Sequence, residues 1–414
     1  MNEQKRKALI IGCGIAGPAA ALFLKRAGID AEIYEARTTP EGYSLSLSSN
    51  GVDVLRLLGL DGLVMAQGSA VTTGMMWNGR GKRLGQVPLA GAGEKSVFIK
   101  RVPLGATLAE EAERQGIKIE RGKKLESLER PGIGGVVATF HDGTTASGDF
   151  LIGCDGVHSR TRQLIDPAFS GVTSSSLMNT GGYTDGVKLS SPPETTHFVF
   201  GKRAFFGYHV SPSGYIYWFA NYVQPQEPAR EAGERSEGST SDERKQRLLE
   251  VFREDQPFIR EVIAAAEEVF PDFPSYALPK QPASWHRGSV VLIGDAVHAI
   301  SPSSGQGASM ALEDAAVLAK CLRDIPTIEQ AFETFEHLRR ERTVKMFDLG
   351  QRGDSGKFVT GPVRQWFRDL MTPIFLKLFA NPNASDWIYS YKVEWDTPVE
   401  GYAPATVEWE KVAS

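Results

Sequence analysis

The segment from Lys7 to Gly17 constrains the fold of this chain more than any other. Lys7 to Ile11 is an apolar run of strand length, Gly12-Cys13-Gly14-Ile15-Ala16-Gly17 closes it, and Ala16 to Arg26 has helical composition. The pattern predicts a buried parallel strand, a glycine turn and a helix, the opening of a Rossmann-like α/β domain. Gly12 permits the tight turn, Gly14 leaves backbone open to a diphosphate, and Gly17 lets helix and strand pack closely. The first amides of the helix then face the anion. A second strand, Ala31 to Tyr34, ends at Glu35-Ala36. Glu35 stands close to the spacing, roughly 20 residues, at which a carboxylate accepts hydrogen bonds from a ribose diol. An ordinary glycine-containing loop is the alternative, but strand, helix, strand and acid all agree on a bound nucleotide.

A second glycine-rich segment lies near the other end. Val290-Val291-Leu292-Ile293 reads as a strand, followed by Gly294-Asp295-Ala296-Val297-His298, then Ser301-Pro302 and Gly305-Gln306-Gly307-Ala308. A carboxylate directly after a buried strand can accept a hydroxyl from a cofactor chain, and glycines let a planar ring approach the backbone. Ala308, Ala311, Leu312, Ala315, Leu318, Ala319 and Leu322 recur at helical spacing, so Gly307 and Ala308 begin a helix. The partial positive charge there suits the anion that a flavin ring becomes on reduction. Between the two segments, Leu151-Ile152-Gly153-Cys154-Asp155-Gly156-Val157 is again a strand ending in a glycine turn, with Arg160 and Arg162 behind it.

Composition narrows the classes. At 414 residues, 41% of them hydrophobic, the chain exceeds one usual core and predicts two or three domains. A net charge of -4 gives no electrostatic footprint for nucleic acid or an anionic membrane. The basic cluster Arg339 to Arg342 reads as a solvated helix face. Cys13, Cys154 and Cys321 lack metal-ligand spacing and leave an odd thiol, which fits a reducing cytoplasm with no structural disulfide. No metal site is expected. The apolar stretch near the N-terminus is too short for a membrane span and already serves as the first strand.

Along the chain, a helix is expected at Thr107 to Arg114 and strands near Ile117 to Glu120, Val136 to Phe140 and Asp149 to Ile152, with a hairpin turn at His141-Asp142-Gly143. Thr196 to Tyr222 is rich in aromatic and β-branched residues split by Ser211-Pro212-Ser213-Gly214, and reads as two antiparallel strands joined by a turn. Alternation puts Arg203, Phe205, Gly207 and His209 on one face and Ala204, Phe206, Tyr208 and Val210 on the other, with either face open to a ligand. Gln224 to Asp242 has almost no large apolar residue and reads as a mobile surface loop before a helix near Glu243 to Phe252.

The three glycine-turn segments, in this order and at this wide spacing, resemble the class A FAD-dependent aromatic hydroxylases, the group of p-hydroxybenzoate hydroxylase, over residues 7 to about 350. The resemblance implies a single-component monooxygenase that binds FAD, takes NAD(P)H as transient reductant, and hydroxylates an aromatic or polyketide-like small molecule with O2 through a C4a-hydroperoxyflavin. It implies that Gly12, Gly14, Ile15, Ala16 and Gly17 hold the pyrophosphate and Glu35 with Ala36 the adenosine ribose. Arg101 is an expected cofactor contact, and Asp155 serves FAD and the incoming nicotinamide. Asp295 lies on the ribityl or pyrophosphate side, with Pro302, Gly305, Gln306, Gly307 and Ala308 under the isoalloxazine. The expected division is an FAD-binding domain of 1–72, 97–176 and 283–355, a β-sheet-rich substrate domain of 73–96 and 177–282, and a C-terminal helical region and tail of 356–414. Asp386-Trp387-Ile388 and Trp395-Asp396 map onto no functional motif of the family. The same scaffold also carries epoxidases, reductases and halogenases, although no Trp-x-Trp-x-Ile-Pro motif of a halogenase is present.

Such chemistry needs a site that excludes water and holds an electron-rich substrate over the ring. Phe205, Phe206, Tyr208, Tyr215, Tyr217, Trp218 and Phe219 can line it or fill a sheet-helix interface. Within the same segment, His209 and Tyr217 are candidates to deprotonate a phenol and Arg203 to fix an anionic substrate or direct the peroxide, each against a purely structural role. His158 and His298, beside glycine turns, read as loop packing. A nicotinamide-only dehydrogenase leaves Gly294 to Ala308 unused. A non-catalytic flavin-binding sensor module is the remaining class, and predicts tight FAD binding without turnover.

Overall fold

The computed structural model describes residues 6–129, 135–169, 171–223, 239–357, 361–379 and 385–401. At its centre is a six-stranded sheet ordered His286–Arg287, Val290–Leu292, Phe150–Gly153, Lys7–Ile11, Asp30–Glu35 and Lys118–Arg121. All neighbours pair in parallel except His286–Arg287. Ala8, Leu9 and Ile10 are wholly buried, which explains an apolar run without alternation: a strand covered on both faces has no polar side. Helices Ala16–Arg26 and Gly307–Asp324 pack against each other beside this sheet, so the two glycine-rich segments, far apart in sequence, open onto adjacent helices.

A separate seven-stranded sheet has the order Phe273–Ala277, Thr173–Thr184, Ile216–Val223, Ala204–Val210, Thr195–Phe200, Thr73–Asn78 and Arg83–Pro88. Helices Ser241–Val251 and Pro257–Ala265 close one face, burying Phe206, Tyr208, Trp218, Phe252, Ile259 and Val262 in a core of their own. Each large side chain there contributes roughly 1.5–3 kcal/mol by leaving water.

Three strands, not two, occupy Thr195 to Val223. The additional reversal at Gly201-Lys202-Arg203 has no strong turn signature of its own. It is fixed from outside by Asp255, whose Oδ1 accepts the Lys202 N–H at 2.9 Å. Most of the segment expected as a mobile loop, 224–238, lies outside the described residues, and the following helix starts at Ser241 behind a capping box of Thr240 and Glu243.

The basic run Arg339 to Arg342 is not a solvated helix face. Arg339 is fully buried and Arg342 nearly so, inside the helix Ile328–Lys357, where both pair with Glu313 and Arg339 also pairs with Asp314. The tail residue Trp395 stacks near Phe23 with the guanidinium groups of Arg26 and Arg323 over its ring. No helix among the described residues is long and apolar enough to cross a membrane.

Candidate active site

At the first turn, Gly12 has φ of +108°, and a Cβ there would lie 2.5 Å from the carbonyl oxygen of Cys154, just past the neighbouring strand Phe150–Gly153. A Cβ on Gly17 would meet the Gly12 carbonyl oxygen at 1.9 Å. Both glycines are therefore required by the protein itself. Gly14 differs, because nothing lies within 4 Å of its missing Cβ. Its open approach is the space a pyrophosphate needs, at the N-terminus of a helix whose first residues, Ala16 and Gly17, follow the cap residue Ile15. Glu35 stands at the same turn, accepting the Cys13 N–H at 2.7 Å and the Arg37 N–H at 2.8 Å. Ala36 is exposed beside it. Arg101 begins the helix Arg101–Arg114 and lies across Gly42, where a Cβ would meet its Cδ at 2.6 Å.

The Asp155 carboxylate is engaged locally. Oδ1 accepts from Ser159 Oγ at 2.5 Å, and Oδ2 from the Thr161 N–H at 2.8 Å and Oγ1 at 2.9 Å. Burial pushes its carboxyl up, and these donors oppose the rise. Asp155 thus anchors the start of the helix Arg160–Ile165, leaving its backbone as the part free to meet a cofactor. His158 packs edge-on against Tyr276.

On the ring side, Gly294 has φ of +60° and ψ of -143°, a conformation only glycine adopts readily, and it launches Asp295. The Asp295 Oδ1 lies 3.8 Å from where a Cβ on Gly307 would be. Pro302 opens a single helical turn that ends at Gly305, with φ of +64° and no atom within 4 Å of a Cβ. The helix Gly307–Asp324 follows, with Ala308 partly buried in its first turn. Residues without side-chain bulk over an 18-residue helix's N-terminus fit a planar, anionic ring. Gln306 is turned the other way: fully buried, its Nε2 donates to Ser48 Oγ at 2.8 Å and its Oε1 accepts from Asn50 at 3.1 Å. Its side chain ties the ring turn to the helix Ser49–Leu57, so only its backbone faces outward.

The sheet face opposite the helix-backed core carries matched columns of side chains. Tyr183, Tyr217 and His209 are in register, as are Gly181, Phe219 and Gly207, and Asn179, Asn221 and Phe205. Of the aromatic residues expected either to line the pocket or to fill a sheet-helix interface, Phe206, Tyr208 and Trp218 fill the interface, in the core on the other face. His209 is buried against Phe98, its Nδ1–H donates to the Thr195 carbonyl at 3.1 Å, and its Nε2 has no partner among the described residues. Burial pulls its imidazole down, so the ring is held neutral with an acceptor free. Burial pushes the Tyr217 phenol up, which makes it a hydrogen-bond donor rather than a base near neutral pH. Arg203 does not join this face. It sits at the outer turn, half exposed, paired with Glu254 at 3.2 Å and Glu250 at 3.9 Å, so the anion it binds is supplied by the protein's own surface.

Two further groups of residues shape the site without having been visible in sequence. The first is the buried network behind the ring turn: Asp314 Oδ2 accepts the Gly294 N–H at 2.9 Å and the His298 Nε2–H, while Oδ1 accepts from Arg339. The second stands before the ring turn. Lys357 donates to Asn221 Oδ1 at 3.0 Å, and Asn221 donates to Asn179 Oδ1 at 2.7 Å.

Residues 5–349 match a family model described as an FAD binding domain. The aurachin C monooxygenase/isomerase of Stigmatella aurantiaca is 29% identical, over 86% of this chain and 89% of its own length. The FAD-dependent urate hydroxylase of Mycolicibacterium vanbaalenii is 30% identical, over 82% of this chain and 86% of its own. In fold, the chain is similar to Klebsiella pneumoniae HpxO, solved with FAD and uric acid: TM-score 0.81 at 23% identity, covering 92% of this chain and 96% of that one.

Proposed function

The chain belongs to the FAD binding domain family and is a class A FAD-dependent monooxygenase, and from that premise we propose that it acts as a single component, using NAD(P)H and O2 to hydroxylate a planar aromatic or polyketide-like small molecule. One relationship carries the substrate reading. The helix Ile328–Lys357 touches both the ring turn, where Asp354 accepts from Ser303 Oγ, and the inserted sheet, where Lys357 meets Asn221. That shared helix supports placing the substrate between the ring turn and the sheet face bearing Phe205, Phe219, His209 and Tyr217, whose aromatic rings suit a planar guest.

Bound FAD supplies the store of electrons taken from NAD(P)H and delivers one oxygen atom of O2 to the substrate. The protein's part is to bind, orient and exclude water. The amides from Gly14 to Gly17 hold the pyrophosphate, Glu35 takes the adenosine ribose beside Ala36, and Arg101 closes over the cofactor from the Gly42 side. Asp295 holds the ribityl chain, and Pro302 with Gly305 to Ala308 supports the ring through backbone. Asp155 keeps the nicotinamide entrance in shape through the helix it caps. His209 Nε2 receives a proton from the substrate hydroxyl, and Tyr217 donates a hydrogen bond to the resulting oxygen. In this assignment the domain division runs as 1–72, 97–176 and 283–355 for FAD, 73–96 and 177–282 for substrate, and 356–414 as a C-terminal helical region and tail.

The relatives' names place their own substrates among flat oxygenated ring compounds, urate for one, which supports the same class here. Reconstitution with FAD, followed by NAD(P)H oxidation across a panel of phenols, quinolones and purines, tests the reading. Substrate-dependent oxidation with a product heavier by one oxygen atom is expected. A flavoprotein that reduces no faster with any panel member, and releases no oxygenated product, overturns it.

A further inference from the structure

Lys357 is the last residue of the 30-residue helix Ile328–Lys357, and its ammonium reaches the sheet from a partly buried position. It donates to Asn221 Oδ1 at 3.0 Å and lies 4.6 Å from the centre of the Phe205 ring. Asn221 is fixed in turn: it is buried, and its amide donates to Asn179. These contacts use one ammonium proton and the π-face, which leaves donors unassigned. No carboxylate among the described residues forms a salt bridge with it. Asp354, one turn back, attracts it through space but has an oxygen committed to Ser303 on the ring turn.

A partly buried ammonium held against an aromatic ring and a neutral amide, with no salt bridge among the described residues, is suited to take an anion. The protein supplies one neutral amide, Asn221, and an aromatic ring, which orient the ammonium without forming a salt bridge to it. Its surroundings join two segments: Phe205 and Asn221 belong to the sheet face opposite the helix-backed core, and the same helix holds Ser303 of the ring turn through Asp354. We propose that Lys357 is the residue that recognises substrate in this site, and that the group it takes is an anionic oxygen, the phenolate, enolate or carboxylate of a flat ring compound. The proposal rests on the monooxygenase reading for the identity of the site, and adds to it the charge of the guest. Arg203, the residue whose type and place in sequence suggested this task, is neutralised at the outer turn, so the cation comes from a different domain segment altogether.

Burial pulls the Lys357 ammonium down to about 8, against the attraction of Asp354. The sheet residues in contact with it, Asn221 and Phe205, do not titrate. An anion bound here is therefore held below that pH and released above it.

The test needs no knowledge of the natural substrate. FAD-loaded protein is titrated with sodium azide at constant ionic strength, and the flavin absorbance spectrum reports entry of the anion beside the ring. Expected are a saturable spectral shift in the wild type, affinity falling through about pH 8 as Lys357 deprotonates, at least tenfold weaker binding in Lys357→Met, and retained binding without that pH dependence in Lys357→Arg. The proposal is overturned by an absent or non-saturable shift in the wild type, by equal affinity in Lys357→Met, or by a pH dependence that persists in Lys357→Arg. Should Lys357→Met fail to hold FAD, the comparison of wild type with Lys357→Arg still decides. Oxygenation plays no part in this readout, so a failed monooxygenase assay and a failed anion titration are separate results.

Discussion

Asp314 and Arg339 meet where solvent does not reach: Arg339 Nε donates to Asp314 Oδ1 at 2.8 Å, and both side chains are completely buried. The other Asp314 oxygen holds the Gly294 N–H and His298, so the pair fixes the turn from which Asp295 emerges. Arg339→Met removes the cation and leaves Glu313 and Asp314 buried without it, a loss of about 3–5 kcal/mol. Chemical denaturation should show a drop of that order, and FAD titration should show weaker binding because the turn loosens with its anchor.

The same pair sets an acid limit. Desolvation alone would raise the Asp314 carboxyl, but His298 and Arg339 overcome it and hold it well below the usual carboxylate range. A depressed carboxylate contributes stability that is complete above its unfolded pKa, about 3.9, and drains as pH falls below that value. Unfolding midpoints measured from pH 6 to pH 3 should fall more steeply in the wild type than in Asp314→Asn, which is less stable at pH 6 but has nothing further to lose.

The first glycine turn separates two kinds of glycine. Gly17→Ala drives a Cβ against the Gly12 carbonyl and should destabilise the apoprotein by roughly 2–3 kcal/mol. Gly14→Ala meets no protein atom, so the apoprotein should keep its stability within about 0.5 kcal/mol while its FAD affinity drops. Parallel melting curves and FAD titrations of the two variants check this. Equal FAD affinity in Gly14→Ala and wild type would remove the pyrophosphate from this turn.

How much of this was legible follows from the range over which each feature is determined. The strands Lys7–Ile11 and Val136–Phe140 and the helix Ala16–Arg26 fall on the expected residues, because an apolar run, a glycine turn and a helical composition act locally. The buried arginines did not read correctly because their partners, Glu313 and Asp314, lie about 25 residues away on another helix, and a charge run carries no mark of what will cover it. The reversal at Gly201 to Arg203 depends on Asp255, some 50 residues on. Alternation within Ala204–Val210 separated the two faces correctly, yet only the helices Ser241–Val251 and Pro257–Ala265 decide which one is core. Lys357 follows Gly350-Gln351-Arg352-Gly353-Asp354-Ser355-Gly356, a polar stretch in which one more lysine has no periodic signature.

Asp255 offers a second titration of opposite sign. Burial pushes its carboxyl up to about 6, and Oδ2 has no partner among the described residues. A carboxyl raised above its unfolded value stabilises the fold below about pH 4 and loses that contribution as pH rises through 6. Subtracting the wild-type urea midpoint from that of Asp255→Asn should give a difference that grows from pH 4 to pH 7, since the amide keeps the acceptor for Lys202 and never ionises. A difference that shrinks over this range would show the carboxylate to be favourable.

Gly207 and Phe219 decide the shape of the guest. They pair across neighbouring strands, and a Cβ on Gly207 would strike the Phe219 ring at 2.2 Å, so the absent side chain lets that ring lie flat on the sheet. Gly207→Ala must tilt the ring away from the strand and out from this sheet face, because the opposite side of the sheet is filled by Phe206 and Trp218. The FAD segments are untouched by this change. Flavin content and the rate of reduction without substrate should therefore equal those of the wild type, while KM rises at least several-fold for bulky ring compounds and less for single-ring ones. A uniform loss across substrates of every size, or a loss of bound flavin, would mean that Phe219 supports the fold rather than shaping the pocket.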